Sequence, residues 1–329
     1  MKRTAVAYGQ ESGSTTAVRR AIGATDGFSC ISRGSRVVIK PNFTYPFYRP
    51  GVTTSPEVLE AVVALCAERT SDITVVESDG GSHAWRAEEA FEGHRVPEIC
   101  RKYGAKAVNL SSAPARPFST KFAGVKVQFQ MPALLLDGLD VFITLPVPKV
   151  HVMTALSVAF KNQWGCIPDV KRLRYHPIFP HAILAINRIF PRTIAIADGT
   201  YFLNRTGPMG GDPVRMNLIL ASTDFGALSS VAAHIMGIDP RRAPHKRLAM
   251  EMGMMPRSVE EVEIVGDCTD LSLFRQQFTL QRTWINWVTL AAFKSRLATK
   301  IVYDSVFAHP IHEALYALRG KPSDIAPKW

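Results

Sequence analysis

Short apolar runs alternate with amphipathic stretches along most of this chain. Arg36–Ile39, bounded by Gly34 and Pro41, predicts a buried strand. Ser55-Pro56-Glu57 then opens a helix, with Ser55 as cap and Pro56 in its first turn. Over Pro56–Arg69, Val58, Leu59, Val62, Val63 and Cys66 fall on one face. Further strands are predicted at Ile73–Val76, Lys106–Leu110, Val141–Leu145, Thr193–Ala197, Asn217–Ala221 and Glu261–Val265. Helices are expected near Val96–Tyr103 and over Phe225–Met236, the latter capped by Asp224. This alternation predicts an α/β fold: a largely parallel or mixed sheet flanked by helices, with a cleft at the strand carboxyl ends. The texture changes at Leu271. Residues 1–270 read as the α/β region, in one lobe or two, and 271–329 as a basic, aromatic, helical appendage.

Composition narrows the class. The chain has 329 residues, 47% hydrophobic and 20% charged, the make-up of an ordinary globule and too long for one small core. No window approaches the roughly 20 apolar residues of a spanning helix, and the start lacks a secretory apolar core. Five scattered cysteines with no C-x-x-C suit a reducing cytoplasm and give no iron–sulfur motif. The net charge of +11 points to anionic partners. A small anionic molecule comes first, an acidic membrane surface second and nucleic acid last, since no zinc-finger or RNA-binding signature is present.

Val141–His176 concentrates the candidate chemistry. An apolar run ends in Pro146 and Pro148, and Lys149 and His151 follow. On a loop or a helix's first turn these two would meet an anion together with free backbone donors. A helical-looking segment follows, ending in Lys161, Asn162, Trp164, Gly165 and Cys166; Lys171, Arg172, Arg174 and His176 come next. An imidazole with a solution pKa of about 6.5 can act as acid or base. Lys161, desolvated, would become a base or a nucleophile; alternatively its stem simply reaches water. Lys40 and Asn42 follow the first strand, where side chains face the crevice. Gly210 and Gly211, in the loop Asn204–Pro213, permit an anion-binding nest. A divalent metal held by His151, Cys166 and His176, with Asp198 or Asp79, is a further expectation, although Cys166 equally reads as a packed core thiol. His181, His309 and His312 read as packing or surface residues. Neither a GxxxxGK[ST] loop nor a G-x-G-x-x-G turn is present, which removes the usual phosphate and dinucleotide sites.

Two strand endings repeat. Ile73–Gly80 and Thr193–Gly199 both read strand, acid, glycine; Val37–Asn42 and Val141–Lys149 both read strand, proline, polar cluster. A duplication would set equivalent strand ends around one cleft, but strand ends in many α/β proteins look alike.

Several motifs resemble the family called domain of unknown function 362: IKPN at Ile39–Asn42, TTSPEVLEAV at Thr53–Val62, Asp79-Gly80, and PKVHxxTxLSxAFKNxWGCIP at Pro148–Pro168. DGTYF, GPMGGDP and LILASTDFGAL leading to MGIDP extend the likeness, which runs from about Arg36 to Asp267. Many relatives carry a ferredoxin-like iron–sulfur module, for which this chain has no cysteine array. Where relatives show a second aspartate after the later strand, this chain has Ser229. A more distant similarity is to the lactate racemase family, with Lys161 and His176 as the matching pair.

The combined expectation is a cytoplasmic enzyme of isomerase or oxidoreductase type acting on an anionic metabolite. His151, Lys161 and His176 would be catalytic. Lys40, Asn42, Lys149, Thr154, Asn162, Asp198, Gly210 and Gly211 would hold the substrate. The alternative is a non-catalytic anion- or membrane-binding protein. In the tail, Trp284, Trp287, Phe293, Phe307 and Tyr316 mix with Arg282, Lys294, Arg296, Lys300 and Arg319. Such helices dock on the domain, touch an acidic membrane, or form a homo-oligomer contact.

Overall fold

A computed structural model of the protein describes residues 2–9, 13–81 and 84–319; the side chains of Ile285, Arg296, Tyr303, Asp304, His309, His312, Leu315, Tyr316, Leu318 and Arg319 lie outside the described set. The strands are β1 Lys2–Tyr8, β2 Arg36–Pro41, β3 Asp72–Glu77, β4 Lys106–Asn109, β5 Ala115–Phe122 and β6 Val125–Pro132. They continue with β7 Val141–Leu145, β8 Lys149–His151, β9 Ala155–Ser157, β10 Thr193–Asn204, β11 Asp212–Ser222 and β12 Val262–Gly266.

One sheet carries the order β4-β3-β2-β7-β10-β11-β1-β12, with β8 and β9 as an extension beyond β10 and the β5–β6 hairpin apart. β4 through β10 are mutually parallel, and β11 runs antiparallel to both β10 and β1. The sheet is therefore mixed and mostly parallel. Its strands read as nearly continuous apolar runs because both faces are covered. Alternate residues feed different cores. Val37, Ile39, Val141 and Ile143 pack with the helices Gly13–Ala24 and Pro56–Ala67. Val38 and Phe142 face the helices Phe179–Asn187 and Phe225–Ile235 and the β5–β6 hairpin.

Chain order reverses between β2 and β7. From β2 the chain moves outward to β3 and β4; from β7 it moves the other way to β10. That reversal is the switch point at which open α/β sheets bind ligands. The two similar strand endings are side by side here, in register from Val37 opposite Val141 to Pro41 opposite Leu145. The other repeated pair, β3 and β10, flanks them.

Local signals place several helices. Ser55 Oγ accepts from Val58 N at 3.4 Å, and Asp224 Oδ1 accepts from Ala227 N at 2.7 Å. The expected helix after His151 is not formed. Instead β8 and β9 make a tight hairpin, Ala155 takes a left-handed φ of 60°, and only Ala159–Asn162 is α-helical. The hairpin is fixed from outside. Val152 N donates to Gly207 O at 3.0 Å, and a Cβ on Gly207 would come within 2.0 Å of Val150 O.

The C-terminal segment docks closely. Gln276 N and Phe278 N donate to Ile235 O and Met236 O, both at 2.9 Å; Arg205 N donates to Thr279 O at 3.1 Å. Arg282 Nε then donates to Val152 O at 2.6 Å, over the β8–β9 hairpin. Helices Trp284–Lys294 and Arg296–Asp304 follow and pack on Arg172–Ile178.

Candidate active site

The ends of β2 and β7 are tied by one hydroxyl: Thr54 Oγ1 accepts from Asn42 N at 2.8 Å and donates to Leu145 O at 2.7 Å. Asn162 adds a second tie, its amide donating to Lys40 O at 3.0 Å and Thr144 Oγ1 at 2.8 Å. Thr144 passes the chain to Gln163 at 3.2 Å, and Gln163 to Asn187 at 2.9 Å. Every polar group in this row is buried and bonded, as a low-dielectric interior requires.

Lys40 ends β2 with its ammonium inside the protein, 2.6 Å from Glu77 Oε2 and 2.7 Å from Pro41 O. Glu77 also accepts from Phe43 N at 3.1 Å and Ser78 N at 3.0 Å. Gly165 permits this pair, because a Cβ there would lie 2.8 Å from Glu77 Oε1 and 3.1 Å from Lys40 Nζ. Lys40 is therefore neutralised within the fold. This corrects its expected role as an anion clamp.

Beside this pair the charges are unbalanced. Lys149 is 1% exposed, and its ammonium donates to Asn42 Oδ1 at 3.2 Å and to Val52 O, both neutral. Arg172 is also buried and donates to the carbonyls of Ile167, Asp169 and Asp79. Lys246 is buried with no hydrogen-bond partner on Nζ, and so is His245 on both ring nitrogens. Among the described residues, no carboxylate lies within ion-pair distance of Lys149, Lys161 or Lys246, whereas Arg172 feels the charges of Glu77, Asp169 and Asp79.

Titration reflects that environment. Burial, followed by the charges of Lys161 and Lys40, holds Lys149 well below its ordinary range. Burial, with Arg172 nearby, brings Lys161 down to about 8. Desolvation lowers Lys246 to about 7. His151 is pushed well below 6.5 by burial and then by Lys161, Lys149, His176 and His245. His176, in an apolar box of Trp164, Phe179 and Phe293, falls to about 3, with burial as the main cause. Both imidazoles are neutral at physiological pH, and their hydrogen bonds assign opposite tautomers. His151 Nδ1 accepts from Met153 N at 3.1 Å, so its proton is on Nε2. His176 Nδ1 sits 2.6 Å from Leu173 O, so it carries the proton and Nε2 keeps a lone pair.

The sequence-predicted residues divide. Asn42 and Lys149 are in direct contact, although 107 positions apart. His151, Lys161 and His176 interact electrostatically with them or with one another. Lys149 and His151 occupy a strand, so the helix-terminus donors expected beside them are absent from their immediate backbone. Asn162 spends its amide on the strand ends, and Asp198 accepts from Ser55 N at 2.8 Å and Thr200 N at 3.1 Å; both work as scaffold. Thr154 makes one long bond of 3.5 Å to Leu156 O. Gly210 and Gly211 lie at the exposed tip of the β10–β11 hairpin, where Gly211 has φ 128°. They serve the turn of a loop whose Gly207 and Met209 lie against Val152 and Val52.

The metal expectation is also corrected. Among the described residues no three histidine, cysteine, aspartate or glutamate side chains are placed to hold a metal ion. Cys166 is buried against Lys40 and Glu77, and burial pushes its thiol up to about 12. Asp79 caps elsewhere, accepting from Ala87 N at 2.8 Å and Asn109 Nδ2 at 2.9 Å. Two surface clefts of about 490 and 450 Å³ lie among other residues, including Asp239, Arg257 and Met250.

Sequence reasoning missed Thr54, His245 and Lys246. A buried threonine carries no pattern signal, and His245-Lys246 looks like part of the surface basic run Pro240–Arg247 until the helix Pro244–Glu251 turns both inward.

A thylakoid-associated protein of Synechocystis is 27% identical over 240 residues, covering 70% of this chain and 72% of that protein. Among solved structures, the lactate racemase apoprotein of Thermoanaerobacterium thermosaccharolyticum aligns over 73% of this chain and 58% of its own, with TM-score 0.45 and 11% identity. A Thermotoga maritima protein aligns over 66% of this chain and 56% of its own, with TM-score 0.42 and 10% identity. The chain spans less than two thirds of either solved structure. The model of the family described as domain of unknown function (DUF362) matches residues 37–234, more than half of this sequence, and the chain belongs to that family.

Proposed function

We propose that this protein is a proton-transferring isomerase acting on a carboxylate-bearing metabolite with a C–H bond beside a carbonyl. The observation that carries the reading is a set of buried or half-buried lysines, Lys149, Lys161 and Lys246, without carboxylate partners among the described residues, set beside two neutral imidazoles of opposite tautomer. An anionic substrate would supply the missing counter-charge. Arg172, permanently charged, and Lys149 are the groups for its carboxylate. Lys161, at about 8, is close to the pH at which an amine works best as a general base. In the step envisaged, the Lys161 amine takes the proton from carbon and the electron pair moves onto the carbonyl oxygen. His151 Nε2–H stabilises that oxygen as a neutral donor; where the carbon also carries a hydroxyl, the hydroxyl's proton passes to the former carbonyl oxygen and the Lys161 ammonium protonates the former carbonyl carbon, so that the carbonyl moves one position. His176 Nε2 accepts a hydrogen bond from a substrate hydroxyl. Of the two reaction classes open from sequence, this is the one for which the chain's own side chains supply each group.

Five unpaired cysteines suit the reducing cytoplasm, and the thylakoid association in a relative's name adds a membrane surface within reach. Among the described residues no helix is long and apolar enough to cross a membrane.

The test is solvent exchange. Wild-type protein, incubated in D₂O with a panel of enolisable 2-oxo and 3-oxo carboxylates, should place deuterium at the carbon beside the carbonyl, read by proton NMR. Lys161→Met and His151→Ala should each slow exchange about 100-fold or more. No exchange with any member of the panel, or equal rates in both variants, refutes the assignment. Native mass spectrometry of freshly purified protein would name a retained anion directly.

A further inference from the structure

We infer that the outer face of the C-terminal helices is a docking surface for an anionic membrane. The helix Trp284–Lys294 is apolar on two sides. Phe293 is nearly buried and stacks on His176 with ring centroids 4.4 Å apart. Nine positions earlier, on the opposite side of the helix, Trp284 is 74% exposed. Trp287 and Val288 join Trp284 at helical spacing and are more than half exposed. The following helix, Arg296–Asp304, turns Thr299 inward and Leu297 and Ile301 outward. Val306 and Phe307, at 87% and 62% exposure, follow its end in the chain. Docking on the domain requires only the inner side. The outer apolar side is surplus to the fold, and an exposed patch of this kind marks an interaction surface.

Charge selects the occupant. Lys294, seven residues after Trp287 and so on the same face, is exposed, as is Lys300 between Leu297 and Ile301. The Arg282 guanidinium lies 5.0 Å from the Trp287 ring centre at the edge of the patch. From Trp284 to Phe307 the sequence holds Lys294, Arg296 and Lys300 against one acid, Asp304, in a chain of net charge +11. Tryptophan and lysine mixed on a helix lying flat are the composition of an interfacial anchor. A two-fold contact with a second copy would bring the lysines of each copy toward those of the other, which opposes that occupant. The surface is independent of the isomerase reading. If both hold, the site lies directly beneath the bound membrane, with Phe293 between them.

Flotation of the full chain with lipid vesicles tests this. The protein should rise with vesicles of phosphatidylcholine mixed with phosphatidylglycerol and stay down with phosphatidylcholine alone. Trp284→Ser with Trp287→Ser should abolish flotation while the far-ultraviolet circular dichroism is unchanged. Lys294→Glu with Lys300→Glu, which leaves the apolar patch whole, should weaken binding at least about tenfold and remove its salt sensitivity. Equal binding to both vesicle types, binding to neither, or either variant floating like wild type overturns the proposal. So would a dimer in size exclusion that the tryptophan variant dissolves, because that outcome gives the face to a second copy.

Discussion

Replacing Glu77 by glutamine should destabilise the protein by about 3–5 kcal/mol in urea denaturation, because Lys40 would stay charged, buried and without its counter-ion. Loss of less than about 1 kcal/mol would mean that Lys40 is not held as a buried ammonium. Lys246 behaves in the opposite sense. Its ammonium has no partner, and its pKa falls from 10.5 to about 7 on folding. Between those values the unfolded chain holds a proton that the folded chain has lost, so folding gains stability as pH rises through this window. Below the folded value the penalty is fully present. Lys246→Met should therefore be more stable than wild type at neutral pH, by a few kcal/mol, with the gap narrowing as the pH approaches about 10. A gap that does not change with pH would show that the amine is not desolvated.

The β8–β9 hairpin depends on a distant turn more than on its own sequence. Its backbone lies against Gly207, where the position of a Cβ is occupied by a carbonyl oxygen. Gly207→Ala should cost about 3 kcal/mol, read as a lower denaturation midpoint, and should shift the amide signals of Val150 and Val152. A stability within experimental error of wild type would mean that the hairpin can retreat freely. The same dependence explains what was legible. The strands around Val38 and Phe142 and the helices begun by Ser55 and Asp224 follow from short-range signals, namely short apolar runs and capping oxygens. Val152–Phe160 carries a helix-like pattern too. There the bond from Val152 to Gly207 and the pairing of Lys149 with Leu203 override local preference.

Across the whole molecule, the C-terminal segment touches the surroundings of His176 and His151. Phe293 completes the apolar box around His176, and Arg282 is bonded to the hairpin that carries His151. Phe293→Ala should admit water to the box and raise the His176 pKa from about 3 toward its solution value, followed by imidazole NMR. An unchanged titration would place the desolvation with Trp164 and Phe179 alone.

The α/β class, the central strand–proline–lysine endings and the concentration of Lys149, His151 and Lys161 in one stretch are written in the order of residues, because short apolar runs and clustered donors are local properties. The pairing of Lys40 with Glu77, the tautomers of His151 and His176 and the inward turn of His245 and Lys246 are not. Each depends on which groups share a low-dielectric space, and that is set by strand order and helix docking between residues far apart in the chain.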